Sequence, residues 1–323
     1  MNSARRFLLS TLGLATLPLI SPLRANPLYA DQLPPKITIL VGFPPGGGTD
    51  LLARYLADGL REQLRIPVTV LNRAGAGGQI AAQTLMDSKP DGSVLLLSHD
   101  HTISIVPQLT KNPGYNPMVD FQAVAGVGNF VNCLFISANI PPINYLQYRQ
   151  WLLSQTGAQR SIGVPAINSI PEYLVKRINR KENLDLVTVP YQGSAPMLSD
   201  ILANHIPAGI GSIFECIEHH RSRKIRIIGV MGSKRLALLP NVPTFSELGI
   251  QGFENNPFYG VFAPQKIPLG VCDTLSLAIK DVLNQSKFIK AFASTGIEIK
   301  WSSAEQFSNE VVRYNRSSEK IFH

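Results

Sequence analysis

Residues 43–50 read FPPGGGTD and directly follow a short apolar run, 37–42 (ITILVG). Three successive glycines, Gly46, Gly47 and Gly48, let a backbone approach a ligand closely and adopt positive φ. The helix that this loop opens presents unpaired N–H groups, and its dipole favours an anion at that end. Pro44, Pro45, Thr49 and Asp50 complete the loop. A plain strand-to-helix turn would use the same residue types, so the loop by itself leaves both roles open. Two enzymatic readings fail. The loop lacks the Gly-Lys-Ser/Thr ending of a phosphate-binding P-loop. Leu51 stands where a dinucleotide fingerprint needs its third glycine.

Three more loops have the same character: residues 72–78 (NRAGAGG), 163–169 (GVPAINS) and 191–194 (YQGS). Each follows an apolar run and precedes a helical pattern. In an α/β sheet such loops gather at the carboxyl ends of the strands and can line one crevice. A search for catalytic groups returns little. There is no G-x-S-x-G elbow. His99 and His101 flank Asp100, and His219 precedes His220, but neither pair comes with further ligands at a telling spacing, so surface or loop histidines are expected. The chain has 3 cysteines, Cys133, Cys216 and Cys272, and no CxxC pair. No metal, cofactor or enzymatic activity is expected. At most one disulfide can form, and nothing in the spacing selects the pair.

The elements that position these loops follow a regular grammar. Apolar content is 45% and charged content 16%, enough for a large core and against general disorder. After the first loop, Leu51, Leu52, Tyr55, Leu56, Leu60 and Leu64 recur at helical spacing, with Arg54, Asp58 and Arg61 opposite. Strands are predicted at 68–71, 94–98, 161–164, 186–191, 208–211, 225–231 and 259–263. Helices are predicted at 79–86, 171–178, 195–202, 214–220, 269–283, 288–294 and 304–319. Alternating strands and helices describe parallel α/β sheets. Two such halves, with no Ser/Gly-rich tether between them, imply crossovers made by strands.

The net charge is +8, and Arg5, Arg6 and Arg24 contribute part of it within the first thirty residues, which hold no acid. Arg5-Arg6 precedes an apolar stretch, 7–20 (FLLSTLGLATLPLI), then Pro22 and a small residue at Ala25 or Ala30. That is the pattern of a cleaved signal peptide over residues 1–30, and it is too short to span a bilayer comfortably. The route, Sec or twin-arginine, stays open. The basic run 221–226 (RSRKIR) reads as a solvated loop before a strand, and no nucleic-acid partner is expected.

At these loops the sequence resembles the Bug family, the TctC-like extracytoplasmic solute receptors of tripartite tricarboxylate transporters. The matching stretches are FPPGGGTDLLAR (43–54), LNRAGAGGQIAAQ (71–83), VPYQGSAPMLSDIL (189–202), LPNVPTFSELGIQGFE (239–254) and FYGVFAP (258–264). They occur in the family's order from about Lys36 to the C-terminus. The resemblance implies a type II periplasmic-binding-protein fold: two α/β lobes with a ligand cleft between them. Lobe one would comprise 31–131 plus 257–323, and lobe two 132–256. It implies a periplasmic, monomeric receptor that captures a small carboxylate and delivers it to the large and small membrane subunits of a transporter. A ligand sensor for a signalling partner, or an enzyme on the same fold, are the alternatives.

Carried across position by position, the implied ligand-binding residues are Pro44, Pro45, Gly46, Gly47, Gly48, Thr49 and Asp50 in the first loop, and Ala74, Gly75, Ala76 and Gly77 in the second. Ser98, His101 and Thr102 follow the third strand. Ala166, Asn168, Ser169 and Glu172, with Gln192, Gly193 and Ser194, would contribute from lobe two. Two positions depart from the family. Glu172 stands where a histidine is common. It can simply favour its helix start, or face the cleft and prefer a ligand with an amino group. Phe258 stands where tryptophan is common, and can wall the pocket or fill the core.

Overall fold

The chain was analysed as a computed structural model that describes residues 33–322. The signal-peptide segment read at 1–30 lies outside the described residues. The elements are, in order, β1 (Ile37–Val41), α1 (Gly48–Leu64), β2 (Val68–Asn72), α2 (Gln79–Met86), β3 (Val94–His99), α3 (Val106–Leu109), α4 (Pro117–Asp120), β4 (Phe121–Asn129), β5 (Asn132–Ser137) and α5 (Tyr145–Leu153). They continue with β6 (Ser161–Val164), α6 (Ile170–Glu182), β7 (Val187–Pro190), α7 (Ser194–Leu202), β8 (Ala208–Ser212), α8 (Ile213–Arg221) and β9 (Ile225–Val230). The last are β10 (Phe258–Pro264), α9 (Leu269–Leu283), α10 (Ser286–Phe292), β11 (Glu298–Ser303) and α11 (Ala304–Phe322).

Two sheets result. The first has six strands in the order β11-β4-β10-β3-β1-β2, and the second has five in the order β7-β6-β8-β5-β9. β1 runs parallel to β2 and β3, and β6 runs parallel to β7 and β8. β1, β3, β6 and β8 are short and apolar because they are covered on both faces, whereas the edge strands β2 and β7 keep exposed positions. β10 lies antiparallel between β3 and β4, and β5 antiparallel between β8 and β9. In α1 the residues Leu52, Ala53, Leu56, Ala57, Leu60 and Leu64 are buried; of the face that the sequence spacing predicts, Leu52, Leu56, Leu60 and Leu64 point inward, while Leu51 is half-buried at the edge and Tyr55 is exposed.

The chain crosses between the sheets twice. The outward crossing is made by strands, as the sequence suggests: β4 passes into β5 through Phe130 and Val131. The return differs. Residues 231–257 form no regular element and carry Pro240, Pro243 and Pro257, which lack a donor for a sheet ladder. The two crossings are hydrogen-bonded side by side, Phe130 N–H to Pro257 O at 3.0 Å and Met231 N–H to Asn132 O at 2.8 Å.

Six elements have no counterpart in the sequence reading: α3, α4, β4, β5, α5 and β11. Gly126 and Gly128 interrupt β4, and β11 is partly exposed, so neither shows a clean apolar run. Helix α10 begins at Ser286, ahead of the predicted 288, since Gln285 O accepts the Phe288 and Ile289 N–H groups.

Candidate functional site

Four helices start at the space between the sheets. They are α1 from the first sheet's layer and α6, α7 and α8 from the second's. Their first residues or caps, Gly47 and Gly48, Ser169 and Ile170, Gly193 and Ser194, and Ser212, all line one cavity. Its volume is about 70 Å³, room for the centres of roughly five waters. His99, Asp100, His101 and Tyr259 close it from the first sheet, and Glu215 and Asn132 from the second. No Lys or Arg lines it among the described residues.

The first loop is held from below by Asp50. Its Oδ2 accepts from Gly46 N–H and Arg54 Nε, and its Oδ1 accepts from Arg54 Nη2 and Asn72 Nδ2, each at 2.9 Å. Burial opposes ionisation of Asp50, but these bonds hold its pKa below the usual carboxylate value. Asp50 therefore braces the loop and does not face the cavity. Gly47 caps α1 without a side-chain bond. The next N–H, that of Gly48, crosses to the other lobe and donates to Glu215 Oε1 at 2.9 Å. A Cβ on Gly48 would meet Glu215 Oε1 and Phe214 Cδ1 at 3.1 Å, so the lobes approach closely here.

The second loop packs on the segment after β3. Gly77 and Gly78 have φ of 64° and 91°, and a Cβ on Gly77 would lie 2.6 Å from His101 Nε2. Thr102 Oγ1 donates to Gly77 O at 2.8 Å and fixes that contact. His101 is buried, which lowers its pKa to about 4, with the His99 charge adding to the shift. Its Nδ1 has no hydrogen-bond partner among the described residues. His99 stacks on Phe43 at 4.8 Å, and its Nδ1 lies 3.1 Å from Asp100 Oδ1. The expected surface histidines are thus a half-buried and a buried wall of the cavity.

In the second lobe, Ser169 Oγ donates to Ala166 O at 2.6 Å and accepts Glu172 N–H. Glu172 Oε2 accepts Asn168 N–H at 2.6 Å, and Oε1 pairs with Lys176 at 2.8 Å. This is a variant of the capping box at the start of α6, in which the glutamate reaches back to the residue before the N-cap. Of the two roles open for Glu172, the helix start is the one its bonds serve. Gly193, at φ 104°, donates its N–H to Pro165 O and caps α7 with no side-chain bond.

Of the sequence-derived residues, Pro44, Gly47, Gly48, Thr49, His101, Ala166, Ser169, Gln192, Gly193 and Ser194 line the cavity. Gly75, Ala76 and Gly77 line an adjoining hollow that shares Pro44, Ala166 and Gln192. Gly46 faces outward beside Leu51 and Phe214. The other seven do not line the cavity: Asp50, Ser98 and Thr102 are buried behind the wall, Pro45 and Ala74 are exposed, and Asn168 and Glu172 are half-buried. Phe258 is buried against Phe307 and Tyr314, with centroids at 5.4 and 5.3 Å, and fills the core. The residue set derived from sequence leaves out His99 and Asp100, noticed only as possible metal ligands, and Tyr259 and Glu215, not singled out at all. Glu215 is half-buried with its carboxyl enclosed, and that loss of water raises its pKa against the lowering by the Gly48 N–H and the Ser212 hydroxyl.

Comparisons with known proteins agree with this architecture. The pattern described as "Tripartite tricarboxylate transporter family receptor" matches residues 52–321. Protein BugT of Bordetella pertussis is 31% identical over 277 residues, covering 84% of each chain. The structure of periplasmic binding protein BugD is 28% identical with a TM-score of 0.82, over 89% of this chain and 96% of that one. MatC of Rhodopseudomonas palustris with bound malate is 25% identical with a TM-score of 0.78, over 87% and 98%. The two-lobed α/β fold is that of periplasmic binding proteins.

Proposed function

This chain belongs to the tripartite tricarboxylate transporter receptor family, and on that basis we propose that it is an exported receptor that captures a small carboxylate between its lobes. The observation that carries the reading is the convergence of four helix N-termini on one cavity without a lysine or arginine. Each helix start places about half a positive charge and free N–H groups there. A carboxylate can be neutralised by such dipoles alone, at well-defined positions.

In this reading lobe one is 31–131 plus 257–323 and lobe two is 132–256. The paired crossings at Phe130 and Pro257 form the axis about which the lobes close. Closure presents one surface to the large and small membrane subunits of a transporter. We read the chain as a receptor and not a catalyst, in line with the relatives named above. The contacts proposed for the ligand are the cavity-lining members of the set derived from sequence, joined by His99, Tyr259 and Glu215.

A thermal-shift screen of small mono-, di- and tricarboxylates tests this, on protein refolded after denaturation to remove any carried-over solute. A true ligand at one hundred times its Kd should stabilise the protein by about 2.7 kcal/mol. No response to any carboxylate would refute the reading.

A further inference from the structure

We propose that the captured acid also carries a cationic nitrogen, as an amino acid does, and that Glu215 holds it. The inference rests on the carboxylate-receptor reading above and specifies its ligand. Two acids line the cavity, and their bonding differs. Asp100 is fully engaged, with Oδ1 beside His99 Nδ1 and Oδ2 accepting from Tyr314. Glu215 is half engaged. Its Oε1 accepts the Gly48 N–H and the Ser212 hydroxyl lies beside the carboxyl, while Oε2 is enclosed and makes no hydrogen bond among the described residues. A buried carboxylate oxygen without a donor is costly, and a ligand N–H group that reaches it removes that cost.

The helix ends point the same way. The carboxylate of Glu215 lies in the first turn of α8 and accepts from α1, so it serves two of the four positive ends. Ser169 and Glu172 serve α6. α1 and α7 both begin on glycine caps, Gly47 and Gly193, that have no side-chain bond and line the cavity, but α1 already has the Glu215 carboxylate on its Gly48 N–H, which leaves the start of α7. A ligand carboxylate therefore belongs at Ser194, and the group facing Glu215 belongs to the rest of the ligand. A second carboxylate there would meet a like charge in a desolvated site with no lysine or arginine to offset it. An ammonium group meets an opposite charge. Burial raises the Glu215 pKa, and a neighbouring ammonium would bring it down again.

The test compares acids that differ only in an α-amino group: alanine with propionate, aspartate with succinate, glutamate with glutarate, and phenylalanine with 3-phenylpropionate. Titration calorimetry on refolded protein should show the amino member binding at least tenfold tighter in any pair that binds. Glu215→Gln keeps an acceptor for Gly48 and should erase that preference. If the member without nitrogen binds as tightly or more tightly, the inference is overturned while the carboxylate reading stands. A preference that survives Glu215→Gln also overturns it. If no acid of either kind binds, the carboxylate reading itself fails and takes this inference with it. The wild-type comparison needs no variant to fold.

Discussion

Tyr314 donates its hydroxyl to Asp100 Oδ2 at 2.7 Å, tying α11 to the cavity wall across 214 positions of sequence. Both groups are buried, and burial raises the tyrosine pKa far above its usual value, helped by the Asp100 charge. Tyr314→Phe leaves that carboxylate oxygen without its donor. The expected loss is about 1–3 kcal/mol of stability, read as a lower urea midpoint. An unchanged midpoint would contradict the assigned bond.

Glu172→Gln separates helix capping from ligand choice. Glu172 is bonded to Asn168 N–H and Lys176, away from the cavity. Glutamine keeps an acceptor for Asn168 N–H, so the expected result is a stability loss of only about 0.3–1 kcal/mol from the charge removed beside the helix start and an unchanged ranking of ligands by calorimetry. A changed ranking would place this side chain in the cleft after all.

Acid should destabilise the protein through His101. Its pKa is about 4 in the fold against 6.5 when exposed. Between these values the unfolded chain binds the extra proton, so stability falls as pH drops from 6.5 towards 4. The full loss from this group is about 3 kcal/mol. Glu215, with a raised pKa, acts in the opposite direction over part of that range. The difference between wild type and His101→Gln in urea unfolding, followed with pH, isolates the histidine. A difference that does not vary with pH between 4 and 6.5 would refute the prediction.

The cysteines divide by lobe. Cys133 and Cys216 lie in contact in the second lobe's core, and Cys272 lies in the first lobe's core. All three are free and buried, and burial pushes the Cys272 thiol up to about 11. All three should resist a charged thiol reagent at pH 8 in the folded protein and react on unfolding. If oxidation occurs, mapping should find Cys133 joined to Cys216 and Cys272 free. A bridge to Cys272 would contradict the structure.

The loops were legible because each follows an apolar strand and supplies glycine, proline or a capping hydroxyl in a short space. Gly47, Gly48, Ser169 and Gly193 are read from such local signals. Glu215 was not, although it sits at the same kind of junction, after β8. In the sequence it is an ordinary first-turn acid of a helix, and only the approach of α1 from the other lobe gives it a partner 167 positions away. His99 and Asp100 were noticed but could not be placed, since Tyr314 and Phe43 bury them through tertiary contacts. Glu172 shows the converse. Its sequence position suggested two roles, and the bond to Asn168 is a local one that backbone geometry decides.

The position of β10 governs how this molecule can be made. β10 is the strand that joins β3 to β4 in the first sheet. Until residue 264 has left the ribosome, that sheet exists as two pieces, β1–β2–β3 and an unpaired β4. The second sheet has no such gap, because its five strands all lie between Asn132 and Val230. The lobe translated in the middle can therefore finish first, while the lobe begun earliest waits for the chain's final quarter.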